Sequence, residues 1–255
     1  MLCEALTRLP HSMVFNEPNL GFRNFAVRTT EAELLGSLGI DLRDFVKRWS
    51  VGRRRLLLYG VRKRLIPRIQ RHVAQVGIKE IFHTHWRRVL RMFPEHRIVL
   101  TSRDPRDIYL SLRGRYLKGH AIWTGDFTPR RVADSLNAEF ARQLDMARSS
   151  SVMHVRYEDL CTEPDAMTRV LRFVGSDLRE AGSLGEFLRG DERRVSEGAM
   201  HGGRITDKRV SRWRQETGDI AAEAAEVFDL MPDYCKYWSY GKDGPLELGL
   251  RIGRA

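Results

Sequence analysis

The amino-acid sequence predicts an α/β protein, a parallel β-sheet covered on both faces by helices. Three observations carry that expectation. Short runs rich in Val, Ile, Phe and Tyr alternate with amphipathic segments at helical spacing. Strands that alternate with helices put their crossovers on both sides of a parallel sheet. No internal repeat, low-complexity tract or long Pro/Gly/Ser linker divides the 255 residues, which suffice for one full core. Residues 1–255 are therefore read as a single domain.

In chain order, "MLCEALTRLP" reads as a helix with Leu2, Leu6 and Leu9 on one face. "SMVFNE" (12–17) is the first strand-like run. Residues 41–76 are basic, helical in pattern, and broken near Gly52, Gly60 and Pro67; with the residues just before, they form a variable basic helical insertion over about 31–76. Two readings stay open for it: a solvated basic surface with Leu56 to Leu58 tucked inward, or a flap that holds an anionic acceptor. "RIVLTS" (97–102) and "VMHVRY" (152–157) are the other strands. Between them "TPRRVADSLNAEFARQLDMA" opens on Thr128 as N-cap with Pro129 in the first turn, and sets Val132, Leu136, Phe140 and Leu144 on one face. "EPDAMTRVLRFVG" follows with Met167, Val170, Leu171 and Val174 apolar and Gly175 as its stop.

Composition narrows the function. Hydrophobic residues at 42% and charged residues at 30% describe a soluble globular protein, and no apolar run approaches the roughly 20 residues of a membrane span. The N-terminus has no secretory or transit character, so a cytoplasmic location is expected. Cys3, Cys161 and Cys235 are odd in number, far apart and form no C-x-x-C pair, so neither a disulfide framework nor a zinc site is indicated. A net charge of +11 points to a polyanionic partner: nucleic acid, acidic glycan, anionic membrane or phosphorylated cofactor. An arginine bias of the coding DNA accounts for it equally well.

The strongest local signal is "SRDPRDIYLSL" (102–112). In an open parallel sheet, ligands sit beyond the carboxyl ends of the strands, and Arg103 follows "RIVLTS" immediately. The helix that begins at "PRD" carries Ser111 eight residues after Arg103 and Arg115 one turn beyond Ser111. Two guanidinium groups and a hydroxyl are the donors a phosphate needs. The same five residues "RDPRD" also allow an ordinary strand-to-helix junction with local Arg–Asp pairing.

In its full context, "MFPEHRIVLTSRDPRDIYLSL" closely resembles the part of the sulfotransferases that binds the 3'-phosphate of PAPS (3'-phosphoadenosine 5'-phosphosulfate). The motifs are closest to the tyrosylprotein and carbohydrate branches, in a bacterial-type chain. The resemblance runs from about residue 1 to 240 and is weakest across 20–76. It implies a P-loop-NTPase-like sheet and makes Arg103 and Ser111 the phosphate ligands, with Arg115 beside them. "VRYEDL" resembles the next strand, which puts Tyr157 near the adenine. "RITDKRVSRWRQE" resembles the late segment that closes over the cofactor, with Ser211 as its serine.

Sulfonyl transfer sets three tasks: a base for the acceptor proton, a cation for charge growing on the leaving phosphate, and donors for the sulfonyl oxygens. For the base, Glu17 ends the first strand and falls where the tyrosylprotein branch carries its catalytic glutamate. A capping or ion-pairing role is the alternative, and Glu80 and His83 of "GIKEIFHTHW" are rivals. The resemblance gives Lys79 the leaving-group oxygen and Ser211 a hydrogen bond to the same oxygens. His83 and His85 read as ligands two apart on a strand lack a third partner, so no metal is expected. The acceptor is a hydroxyl, on an anionic glycan, a glycolipid or another small molecule; nucleic acid is not expected, since aromatic residues are not interleaved with the arginines. A kinase is disfavoured because G-x-x-x-x-G-K-[ST] is absent.

The family's loop of the form G-x-P-R-S-G-T-T, which wraps the 5'-phosphosulfate with backbone N–H groups, is not in these 255 residues. The sequence is therefore read as starting just after it, without the first strand. Met1 is then an internal methionine of a longer enzyme, or the chain is a truncated and inactive relative. Either way the chain as written is expected to be a poor catalyst. A non-catalytic PAPS binder and a basic nucleic-acid-binding protein are the remaining alternatives.

Overall fold

Ser12–Asn16 (β1) and Gln75–Lys79 (β2) run side by side in parallel, from Ser12 opposite Gln75 to Asn16 opposite Lys79. The computed structural model that shows this describes residues 6–7, 11–22, 25–42, 58–93, 95–119, 125–175, 210–246 and 252–253. A parallel pair needs a long crossover. Here it includes α1 (Thr29–Ser37) and a π-helical stretch, Val61–Leu65, that runs into α2 (Ile66–Ile69). The crossover packs Leu35, Ile40, Leu65, Ile69 and Val73 onto Met13 and Phe15, all buried. A second cluster joins Leu20, Leu58, Val61 and Ile66 to Val89 of α3 (Trp86–Met92). These elements lie in one compact unit, Met1–His96 with Leu171–Arg179.

The other unit, Arg97–Val170 with Glu180–Ala255, is built on a second parallel pair. There β3 (Ile98–Ser102) faces β4 (Val152–Arg156), Ile98 opposite Val152 and Ser102 opposite Arg156. Helices α4 (Pro105–Leu117) and α5 (Pro129–Ser149) make the crossover, and α6 (Tyr157–Thr162) continues from β4. The chain leaves this unit within α7 (Ala166–Val174), and the later described elements of the unit are a 3-10 turn at Arg212–Gln215, α8 (Gly218–Asp229), α9 (Pro232–Trp238) and a small hairpin of β5 (Tyr240–Gly241) and β6 (Gly244–Pro245). The last short strand, β7 (Ile252–Gly253), pairs antiparallel with Val152 and Met153 of β4.

All three expected strands form, and so do the helices opened by Thr128 and closed by Gly175. Thr128 Oγ1 accepts from Arg131 N, and Gly175 takes a positive φ of 78°. Met167, Val170 and Leu171 are buried as their spacing requires. In place of one parallel sheet, the described strands form separate small sheets: the parallel pair β1–β2, the parallel pair β3–β4 with β7 antiparallel on β4, and the β5–β6 hairpin. Strand β2 is the unanticipated element; its first residues fall inside the stretch expected to be helical, 31–76. Of the helix expected over 1–10, only residues 6 and 7 are described, and the expectations for Gly52, Leu56 and Leu57 lie outside the described residues. Leu58 is buried. Cys161 and Cys235 are free thiols, and burial pushes that of Cys235 up to about 12.

Candidate functional site

In the first unit, the residues beyond β1 and β2 are stitched together. Asn16 N donates to Glu31 Oε1 of α1 at 2.7 Å, and Glu17 N donates to Lys79 O at 2.7 Å. Glu17 then turns the chain with a φ of 61°, and its Oε1 receives an ion-pairing hydrogen bond from Lys79 Nζ. The pair is about two-thirds buried on each side. The neighbouring Glu80 faces the other way in function: its Oε1 accepts from Leu20 N at 3.1 Å, and burial raises its pKa against the backbone hydrogen bonds from Leu20 and Asn19. Glu80 thus holds the turn after β1.

β2 ends at Lys79, so His83 and His85 are not strand neighbours, and the reading that placed them two apart on a strand is corrected. His83 O accepts from Trp86 N at 3.0 Å, at the approach to α3. His85 sits at the N-terminal boundary of that helix with its ring edge-on to Phe22 at 5.2 Å. Among the described residues no group of three or more His, Cys, Asp or Glu is placed to hold a metal ion.

In the second unit, the junction of β3 and α4 is built by the five residues "RDPRD". Asp104 caps α4 by accepting from Arg106 N at 3.0 Å, and Pro105 sits in the first turn. Asp104 N donates in turn to Glu158 Oε1 at 2.9 Å, which fastens the junction to α6. Arg103 leaves the end of β3 with its guanidinium over the Tyr157 ring, 4.8 Å from the centroid, and with Nη2 3.3 Å from Asp107 Oδ2. Its backbone is clasped by Tyr234, whose hydroxyl donates to Arg103 O at 2.8 Å and accepts from Arg103 N at 3.2 Å. Asp107, Ser111 and Arg115 follow one another at i, i+4 and i+8 along α4, so they line one face. Along that line Asp107 is buried, Ser111 exposed and Arg115 half-buried.

Ser211 stands in the left-handed region, φ 55°, at the head of the 3-10 turn, and Arg214 N donates to its carbonyl at 3.1 Å. The turn is tied to α4 by Asp107 Oδ1, which accepts from Trp213 N at 3.1 Å. The indole of Trp213 lies under the Arg106 guanidinium, 3.5 Å from the ring centroid.

Two groups of expected residues are therefore each assembled within a unit: Glu17 with Lys79, and Arg103 with Tyr157 and the Ser111–Arg115 face. The local Arg–Asp pairing that "RDPRD" also allowed is present as well, as Arg103–Asp107 and Arg106–Asp104. The two pairs differ in exposure: Arg106 is buried, whereas Arg103 is half-buried. Asp107 was not anticipated as the link to the Ser211 turn. Its i+4 spacing from Arg103 was the signal for the first of its contacts, while the contact with Trp213 is 106 residues away in sequence.

An arginine at the carboxyl end of a parallel strand, with a hydroxyl and a second arginine along the following helix, is a set of donors of the kind an anion needs in an α/β protein. Comparison with known proteins makes this specific. The family model described as "Sulfotransferase family" matches residues 23–180, more than half of the chain, and the chain belongs to the sulfotransferase family. The matched span includes Lys79, Arg103, Ser111, Arg115 and Tyr157; Glu17 and Ser211 flank it. No curated protein matches the sequence.

Proposed function

We propose that the protein is a PAPS-dependent sulfotransferase that moves the sulfonyl group to a hydroxyl of a glycan, glycolipid or other small molecule. The observation that carries this reading is Arg103 at the end of β3, inside the span matched by the sulfotransferase family. The donor set fits the 3'-phosphate of the cofactor: Arg103, Ser111 and Arg115 are all donors, and Tyr157 offers a ring against which Arg103 already rests. In the same proposal Glu17 takes the acceptor proton, Lys79 stabilises charge on the departing phosphate oxygen, and Ser211 adds a hydrogen bond there. PAPS supplies the sulfonyl group when bound; the chain's residues bind, orient and move the proton. We read both units as parts of one P-loop-NTPase-like sulfotransferase domain of bacterial type, working in the cytoplasm without a metal.

Calorimetric titration with PAP, the desulfonated product, tests the binding half. Saturable binding abolished by Arg103→Ala in a folded chain is expected. Binding by wild type that survives Arg103→Ala, or none to a folded wild type, overturns the assignment. The transfer half is read as PAP released from PAPS in the presence of hydroxyl acceptors. Lys79→Ala lowers it roughly a hundredfold, the usual effect of one lost transition-state donor.

A second reading, a PAP binder without turnover, has one observation in its favour: Glu17 is already engaged by Lys79. It predicts PAP binding with no PAP release from PAPS in any acceptor mixture.

A further inference from the structure

Residues 58–79 carry Arg62, Lys63, Arg64, Arg68, Arg71 and Lys79 and no carboxylate at all. Leu58, Val61, Leu65, Ile66, Ile69 and Val73 of this stretch are turned into the core of the first unit. The five cations from Arg62 to Arg71 are consequently all exposed, on the side of the helical stretch that faces away from the core.

The same unit also exposes large apolar side chains: Tyr59 at 55%, Phe82 at 53%, Phe22 at 46% and Ile81 at 43%. They sit on neighbouring elements. Tyr59 lies between Leu58 and Val61, which share a buried cluster with Leu20 and Val89. Phe22 follows Leu20 in the turn after β1, and Ile81 and Phe82 follow Glu80 in the turn after β2. Those two turns are joined by the Leu20–Glu80 hydrogen bond and by the edge-on contact of Phe22 with His85.

A soluble polyanion needs the cations but has no use for protruding Phe and Ile. An anionic bilayer surface uses both: headgroups attract Lys and Arg, and aromatic and aliphatic side chains enter the interfacial layer. We infer that the first unit docks peripherally on membranes rich in anionic lipid. Arg62, Lys63, Arg64, Arg68 and Arg71 meet the headgroups, and Tyr59, Phe22, Ile81 and Phe82 supply the apolar contacts. The helical stretch itself stays on the surface, because its apolar side is occupied by the core. Docking would bring the Glu17–Lys79 end of the strands toward the membrane, since Ile81 and Phe82 stand directly after it. The inference does not depend on sulfonyl transfer.

The test is cosedimentation of the 255-residue chain with vesicles of phosphatidylcholine alone or mixed with phosphatidylglycerol, under increasing salt. Binding only to the mixed vesicles, weakened by salt, is expected. The triple reversal R62E/K63E/R64E lowers it by about a hundredfold or more, because each basic residue near such a surface contributes roughly a factor of five. A control reversal of exposed cations in the second unit, R130E/R148E/K236E, changes net charge equally and should cost far less. Phe82→Ser weakens binding about fivefold through lost apolar contact. Absence of vesicle binding, or equal losses from both triple reversals, overturns the inference. So does heparin or oligonucleotide binding that the 62–64 reversal abolishes while vesicle binding persists, since that assigns the cations to a soluble polyanion. PAP titration of the 62–64 variant, expected unchanged, separates this result from the fate of the proposed activity.

Discussion

Asp107 holds Arg103 and the Ser211 turn with one carboxylate. Its Oδ2 lies 3.3 Å from Arg103 Nη2 while its Oδ1 accepts from Trp213 N at 3.1 Å. The aspartate side chain is fully buried and the arginine keeps 22% exposure, so the pair fixes the direction of the guanidinium. Asp107→Ala removes both contacts and is expected to cost about 2 kcal/mol of stability, the scale of charge-assisted hydrogen bonds lost from a buried site. Asp107→Asn should cost less, because its carbonyl oxygen can still accept from Trp213 N. Urea unfolding of the two variants measures the difference, and an alanine variant as stable as wild type would show that the turn is held by other contacts.

Glu17 combines a positive φ of 61° with its ion pair to Lys79. An L-residue in the left-handed region carries backbone strain of about 1–2 kcal/mol, which glycine escapes. Glu17→Gly and Glu17→Ala both remove the carboxylate, so comparing them isolates the backbone. The glycine variant is expected to be about 1 kcal/mol more stable than the alanine variant, the reverse of the order at an ordinary extended position. Both should lose PAP release from PAPS. Chemical denaturation and the turnover assay together would reveal whether strain is stored at the proposed base.

What could be read from the sequence follows from where each signal is local. The strands at 12–17, 97–102 and 152–157 are dense in β-branched and aromatic residues, and the helix begun by Thr128 carries its own cap. β2 was hidden by Gly77, which removes the side chain that would mark a strand. The structure explains the glycine: a Cβ there would stand 3.1 Å from Val14 Cγ2 on β1. All five residues of β2 are half-buried, so no alternation announces it. At the junction, Arg103, Ser111 and Arg115 were legible because they are spaced along one strand end and one helix. The clasp of Tyr234 on the Arg103 backbone was not, since its partner is 131 residues away in sequence.

Glu158 gives a prediction about pH. It is buried at 2% exposure, accepts from Asp104 N, and receives the Tyr240 hydroxyl at 2.9 Å on Oε2. Burial raises its pKa, and the hydrogen bonds it accepts offset that only in part. A carboxyl raised in the folded state binds its proton more tightly there than in the unfolded chain. Its contribution to stability is therefore complete below the unfolded value of about 4.3 and is lost as pH rises through the folded value. The stability of wild type relative to Glu158→Gln should fall across that window and level off above it. Urea unfolding at a series of pH values checks this; a difference that grew with pH would mean the ionised form is the one the site favours.

Arg106 shows how little the type of charge can be varied once it is buried. Its Nε and Nη2 engage both oxygens of Asp104 at 2.9 and 2.7 Å, while Nη1 and Nη2 also donate to Lys242 O at 2.6 Å and Gly241 O at 2.9 Å. The guanidinium plane is sandwiched by aromatic rings, 3.5 Å from the Trp213 centroid and 4.3 Å from that of Phe228. A lysine keeps the charge but supplies neither the two-pronged bond nor a flat face for the rings. Arg106→Lys is therefore expected to destabilise the protein by about 3 kcal/mol, close to the loss from Arg106→Met, because either change leaves Asp104 buried with its partner geometry gone. The double variant Asp104→Asn with Arg106→Met should recover part of that loss. Asparagine retains the cap on Arg106 N while removing the buried charge, and methionine refills the space between the rings. Denaturant unfolding of wild type, Asp104→Asn, Arg106→Met and the double variant, analysed as a double-mutant cycle, gives the coupling directly. A lysine variant as stable as wild type would show that charge alone, rather than the guanidinium's shape, holds α4 to the hairpin and the Trp213 turn.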